Sequence, residues 1–271
     1  MKKLIVDCGA TKTDWCILEG STTRRVRTKG FNLAHTPEDT LNEIVGEAKV
    51  QIGPDVEEIH FFAAGLIGTS PVDLGRWFPG AGIEYASDML GAARAVCGHK
   101  PGVAAILGTG ANTCSFDGRD IGWKVDCGGF IVGDEGSGSV LGKLFVTDYI
   151  KGFLPREMAD DFARQFDASY PALVKNIYGS PAPARYLGSL APFILSWYSR
   201  LDYAKELVDN NFRGLFERTL KRYDPSLPVG VVGGFGYACK DILLTLGKEY
   251  GVQFSKFIAA PVEGLVEYYA V

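Results

Sequence analysis

The segment Leu4-Ile5-Val6-Asp7-Cys8-Gly9-Ala10-Thr11-Lys12-Thr13-Asp14-Trp15-Cys16-Ile17-Leu18-Glu19-Gly20 leaves the chain few folds to adopt. Two apolar runs flank a turn of small and hydroxylated residues with one lysine, and an acid-glycine pair closes the second run. The pattern reads as a β-hairpin whose tip gathers backbone N–H groups, two hydroxyls and an ammonium, the donors that a polyphosphate oxygen needs. Later, Ala104-Ala105-Ile106-Leu107-Gly108-Thr109-Gly110-Ala111-Asn112-Thr113-Cys114-Ser115-Phe116-Asp117-Gly118 repeats the plan of strand, glycine-rich polar turn, strand and acid-glycine turn. A duplicated hairpin predicts a duplicated fold unit. Two phosphate-cradling turns predict one nucleotide held between two lobes.

The chain is long enough for that: 271 residues, 46% hydrophobic and 22% charged, can bury a full core and divide into two domains. A net charge of −4 argues against a nucleic-acid surface. The basic cluster Arg24-Arg25-Val26-Arg27-Thr28-Lys29 reads as decoration of an exposed strand. Asp7 interrupts the apolar start after three residues, so no signal peptide is expected. The run Tyr186 to Tyr198 contains Pro192, is too short to span a bilayer and reads as a core helix. No membrane partner and a cytoplasmic location follow as expectations. The six cysteines are isolated, as reduced thiols would be, and His35, His60 and His99 lack the spacing of transition-metal ligands.

Taken in order, the first lobe, residues 1–101, predicts three strands and then a helix capped by Thr36, with Pro37 at its first position. A buried strand Ile59–Ala64, a short strand Ile83–Tyr85 and a helix from Ser87-Asp88 to Cys97 complete it. The second lobe, residues 102–271, predicts strands at 103–108, 112–117 and 120–126, then a glycine-rich acidic loop, Gly128 to Ser139. A helical insertion follows at about 155–223. A strand Val229–Gly236, a helix Tyr237–Tyr250, a strand near Phe254–Ala259 and a terminal helix after Pro261 close the chain. The fold class is therefore α/β, a duplicated βββαβα with the boundary within Gly98–Gly102.

Several residues carry competing readings. Asp7, after three apolar residues and before a Gly/Thr turn, suits outer-sphere contact with a nucleotide-bound magnesium better than a bare turn cap. Asp88 beside Ser87 reads equally as a helix cap or as a site acid. Asp134 and Glu135 complement the dipole of the helix after Ser137, yet the glycines on both sides favour a site. Gly234-Phe235-Gly236-Tyr237-Ala238-Cys239 mimics a dinucleotide fingerprint but carries Cys239 where Gly or Ala is needed, with no further βα repeat behind it. No G-x-x-x-x-G-K-[ST] is present, so a P-loop is excluded.

Four segments, Asp7-Cys8-Gly9-Ala10-Thr11-Lys12-Thr13, Leu107-Gly108-Thr109-Gly110-Ala111-Asn112-Thr113, Gly133-Asp134-Glu135-Gly136-Ser137 and Val232-Gly233-Gly234, together resemble a known family. They match, in order and across the whole chain, the first phosphate, second phosphate, acidic-loop and adenosine motifs of the N-acetylglucosamine kinase and BadF/BadG-type ATPases. That family has the actin, sugar-kinase and Hsp70 ATPase fold. The resemblance implies two ribonuclease-H-like lobes with ATP and magnesium (Mg2+) in the interlobe cleft, and a small-molecule sugar substrate. It implies that Asp88 takes the proton from a sugar hydroxyl and that Asp7 meets the metal. ATP contacts would come from Asp7, Gly9, Thr11, Lys12, Thr13, Gly108, Thr109, Gly110, Asn112, Gly233 and Gly234, and sugar contacts from Asn32, Gly129 and Asp134. A homodimer is compatible with it.

The chain departs from the family on the sugar side. Gly128 stands where those kinases usually carry a tryptophan, and Ile67 replaces the serine of their Gly-Leu-Ser-Gly. Three functions stay open: an N-acetylglucosamine-like hexosamine kinase, an ATP-hydrolysing activator of a reductase or dehydratase, and a non-catalytic sugar or nucleotide sensor. The activator branch carries an iron-sulfur cluster on a Cys-Ala-Ala-Gly signature that this sequence lacks.

Overall fold

The computed structural model describes residues 1–9, 12–20, 22–31, 36–64, 66 and 73–270. These form two compact units, Met1–Pro101 with Phe116–Gly122 and Ala260–Val271, and Gly102–Ser115 with Trp123–Ala259.

In the first unit, β1 (Lys2–Cys8), β2 (Lys12–Glu19), β3 (Thr22–Lys29), β4 (Glu58–Ala63) and β5 (Gly82–Ser87) make one sheet in the order β3-β2-β1-β4-β5. The β1-β2-β3 meander is antiparallel, while β4 and β5 add parallel to β1. Strand alternation sorts the two faces. Leu4, Val6, Trp15, Ile17, Ile59 and Phe61 pack with Leu41, Ile44, Val45 and Ala48 of α1 (Glu38–Ile52). The opposite face meets α2 (Asp88–Cys97) and the C-terminal helix α12 (Pro261–Tyr269). These two helices approach so closely that a Cβ on Gly264 would lie 2.0 Å from the Ala95 carbonyl oxygen.

The second unit holds β6 (Gly102–Leu107), β7 (Ala111–Phe116), β8 (Val229–Val232) and β9 (Phe254–Ile258) in the order β7-β6-β8-β9, with β6, β8 and β9 parallel. This is the strand order of the first sheet without its outer meander strand. The remaining helices run in order as α3 (Gly129–Val132), α4 (Gly138–Ile150), α5 (Arg156–Gln165), α6 (Tyr170–Tyr178), α7 (Pro183–Ser189), α8 (Ala191–Ser196), α9 (Asp202–Arg218), α10 (Gly234–Ala238) and α11 (Lys240–Tyr250). Most of the insertion forms one core with the sheet around Phe145, Phe162, Phe212 and Phe216, each buried.

The structure corrects several expectations. Residues 120–126 form no strand. The apolar positions of this segment are not covered, Ile121 and Val125 being half-buried and Trp123 exposed, and its pairing with β7 is a bridge between Phe116 and Ile121 and hydrogen bonds between Ser115 and Trp123. Thr36 is not the cap of α1; Pro37 takes that place in an extended conformation (ψ 147°), accepting at its carbonyl from the Leu41 amide. The apolar run at Tyr186 breaks into α7 and α8 because Pro192 begins a new first turn. The strand at Val229 stops at Val232, and the helix expected at Tyr237–Tyr250 is α10 and α11, broken at Cys239. Two segments beyond residue 101, the turn after β7 and α12, pack with the first unit rather than the second.

Candidate active site

In the first unit, the parallel register fixes where the acids stand. Cys8 lies opposite Ala63, and Ala63 opposite Ser87, so Asp7 near the end of β1 and Asp88 just past the end of β5 come to one sheet edge. The carboxyl end of parallel strands is where open α/β sheets place their ligands. Ser87 caps α2, its hydroxyl accepting from the Leu90 amide at 3.2 Å. Asp88 is thereby released from the capping role and occupies the first helical turn, its carboxylate accepting from the Met89 amide at 2.9 Å.

Across the hairpin Asp7 is paired directly with Asp14. Two facing acids on one sheet face repel, and the chain answers with the basic cluster of β3. Arg25 grips Asp14 with two nitrogens at 3.0 and 2.6 Å, and Arg27 adds a third contact at 2.8 Å. Asp14 is only 1% exposed; burial would raise its carboxyl, but the bonds from Arg25 and Arg27 outweigh that and hold it below the usual range. The arginines thus serve a buried acid instead of decorating a free strand. Among the described residues no arginine hydrogen-bonds Asp7 in this way. Burial first, then the charges of Asp14 and Asp88, push its carboxyl up to about 6.

Gly9 closes the hairpin by donating to the Lys12 carbonyl at 3.0 Å, which a side chain there would crowd. The Lys12 ammonium is exposed, 3.9 Å from Asp14. Thr13 is fully buried and its hydroxyl meets Cys8 Sγ at 3.5 Å. Thr11 and Asn32 lie outside the described residues, as does Ile67.

In the second unit, the turn after β6 is pinned to the start of α4. The Gly138 and Ser139 amides donate to the carbonyls of Gly108 and Thr109 at 2.9 and 3.0 Å. Thr109 stays exposed beside an open cavity of about 360 Å³ lined by Gly108, Thr109, Gly138, Gly188, α8 and α10. Gly233 and Gly234, predicted as one adenosine motif, have different jobs. Gly233 holds φ +120° and a Cβ there would sit 2.5 Å from the Leu107 carbonyl oxygen, so it lets α10 start against β6. A Cβ on Gly234 would meet no atom within 4 Å, and Gly234 lines the cavity.

Asp134 takes a left-handed backbone, φ 58°, and is buried. Burial raises its carboxyl, against hydrogen bonds from the Ala111 and Gly129 amides that lower it. It therefore ties the Gly108–Ala111 turn to the Gly129 loop. Asn112 shares a small pocket with Asp134 and Glu135, its side-chain oxygen accepting from the Thr113 amide at 3.0 Å. Gly129 is left-handed at φ +72°. Buried Asn211 fixes the acidic loop from α9, accepting from the Gly136 amide and donating to the Ser137 carbonyl at 3.2 and 3.0 Å. Sequence reasoning missed Asn211, Asp14 and the α8 wall. A polar residue amid the apolar stripe of α9 was the available signal for the first.

Among the described residues no three acidic, histidine or cysteine side chains gather as a metal cage. Asp7 and Asp88 at one edge nevertheless suit magnesium that arrives on phosphates and keeps most of its water.

Two sheets ordered as described, each with a hairpin turn at the same topological point, define the actin, sugar-kinase and Hsp70 class of α/β protein. No family model and no curated protein matches the chain. Solved structures do. The "putative N-acetylglucosamine kinase" of Porphyromonas gingivalis is 33% identical with a TM-score of 0.89, covering 98% of each chain. A protein given the same name, from Chromobacterium violaceum, is 20% identical with a TM-score of 0.72, again over 98% of each chain. A Streptomyces griseus ROK family glucokinase, solved with glucose and AMPPNP, shares the fold at 17% identity and a TM-score of 0.56, over 100% of this chain and 97% of that one. The chain belongs to the N-acetylglucosamine kinase and BadF/BadG-type ATPase family.

Proposed function

We propose that this protein is an ATP-dependent sugar kinase that transfers the terminal phosphoryl group to a hydroxyl of an N-acetylglucosamine-like hexosamine. The observation that carries the reading is the convergence of Asp7 and Asp88 on one sheet edge, with Asp88 freed from capping by Ser87. The names of the P. gingivalis and S. griseus proteins support a sugar as acceptor.

A sugar hydroxyl is a weak nucleophile at neutral pH. Asp88 accepts its proton as the oxygen approaches phosphorus, a contribution of about a hundred- to ten-thousand-fold in rate. The cavity at Gly234 holds the nucleoside, Thr109 and the turns around it meet the phosphates, and exposed Lys12 supplies positive charge as the phosphoryl group moves. Magnesium would be held through Asp7 and would neutralise phosphate charge. Of the six cysteines four are buried, Cys97 is half-buried and Cys127 is exposed, and none stands in the Cys-Ala-Ala-Gly signature of the reductase activators.

The test is ADP release and sugar phosphate formation with ATP, magnesium and a panel of hexoses and N-acyl hexosamines. Turnover should be highest with an N-acyl hexosamine. ATP binding with no phosphorylation of any sugar would contradict the proposal.

A further inference from the structure

The cavity beside Thr109 is built to grip a flat base without reading it. Its lining residues are Gly108, Thr109, Gly138 and Gly188, then Ala191, Pro192 and Leu195 of α8, and Gly234, Phe235 and Ala238 of α10. Among these described residues only Thr109 has a polar side chain, and it belongs to the phosphate turn. Part of the backbone is closed to a base as well. Pro192 has no N–H, and the Leu195 and Phe235 carbonyls already accept from the Tyr198 and Cys239 amides at 3.1 and 3.0 Å. Phe235 is itself fixed by stacking on Phe212, ring centroids 5.5 Å apart at 22°.

A wall of this kind gains affinity from apolar contact and stacking, which every purine provides. Discrimination behaves differently. A site that hydrogen-bonds a substrate group rejects the analogue lacking it by roughly ten-thousand-fold or more, whereas an apolar pocket separates close analogues by only about ten- to two-hundred-fold.

We infer that the phosphoryl donor is a purine nucleoside triphosphate of either base type, with adenine, hypoxanthine and guanine accepted within about a hundredfold of one another in affinity. This rests on the nucleotide assignment made above and extends it to the donor class. The reaction is unchanged: the bond from the bridging oxygen to the terminal phosphorus breaks, the sugar oxygen takes the phosphoryl group, and IDP or GDP leaves in place of ADP. The exocyclic group at the six-position of the ring never enters the chemistry.

Calorimetry with ADP, IDP and GDP in magnesium buffer tests the inference directly. ADP and IDP differ only in the six-substituent and the N1 proton that accompanies it, so they isolate hydrogen-bond readout from size. Dissociation constants for IDP and GDP within about a hundredfold of that for ADP support the inference, and a wider gap overturns it. Absence of ADP binding instead overturns the nucleotide assignment itself, and this inference with it. Gly234→Val, where a Cβ meets no protein atom, should leave the fold intact and weaken all three ligands together. Unchanged affinity in that variant would place the nucleotide elsewhere and overturn the inference. Ala238→Asn introduces an amide beside the base and should separate ADP from IDP where the wild type does not.

Discussion

At the residue scale, Asp7 shows how a site acid strains its own fold. Its folded carboxyl binds a proton more tightly than in the unfolded chain, because burial and the charges of Asp14 and Asp88 push it up to about 6. The associated stability is fully present below the ordinary carboxylate range and is lost as pH rises through about 6, a loss on the order of 3 kcal/mol. Asp7→Asn should therefore raise the melting temperature at pH 7.5 and raise it much less at pH 4.5. Thermal unfolding of both proteins across that range checks this, and a variant less stable than wild type at pH 7.5 would contradict it. The place of Asp7 at a strand end was legible because it stands at the end of an apolar run, where an acid has no packing role. Asp14 was not, because its meaning lies in Arg25 and Arg27, one strand away. No local pattern states that pairing; the register of β2 against β3 does.

At the element scale, α12 is held to the first unit by a buried polar network. Arg94, its side chain 10% exposed, donates to Glu84 at 2.8 Å and to the Tyr269 hydroxyl, while His60 stacks on the Tyr269 ring at 3.8 Å. His60 hydrogen-bonds Glu84 at 2.8 Å as well. The bond from His60 comes first among the causes that hold the Glu84 carboxyl down at about 2, with Arg94 adding to it against burial. Glu84→Gln leaves the Arg94 charge underpaired. It should cost roughly 2–3 kcal/mol, less than a fully buried pair because Glu84 is 36% exposed. A lowered carboxyl contributes stability above its ordinary range and loses it as pH falls toward 2. The gap between wild type and Glu84→Gln should then be constant from pH 5 to 8 and shrink at pH 3, measurable by urea denaturation. A gap that persists undiminished at pH 3 would rule out the charge as its source. Helix α12 itself was predicted after Pro261. Its return to the first unit was not, since it depends on Gly264 against Ala95 and Tyr269 against His60, contacts between residues far apart in sequence.

At the scale of the whole molecule, the sequence carried the architecture well because duplication repeats its own signal. A hairpin followed by parallel strands and helices admits few sheet orders, and both sheets take the same one apart from the missing meander strand. The segment 120–126 does carry an alternating apolar set, Ile121, Trp123 and Val125, but Trp123 is 49% exposed and the other two only half-buried, so no strand forms there. Of the cavity proposed to hold the nucleoside, the sequence pointed to the glycines alone; the α8 wall was hidden inside an apparently continuous apolar run. What these parts are proposed to do together is move a phosphoryl group to a sugar, with Asp88 taking the proton. Asn is nearly isosteric with Asp, and Ser87 caps α2 in either case. The decisive measurement is turnover of Asp88→Asn with ATP, magnesium and the best sugar of the panel, alongside its melting temperature and ADP affinity. Turnover should fall by about a hundred- to ten-thousand-fold while the other two barely move; a variant that keeps near-normal turnover would contradict the account.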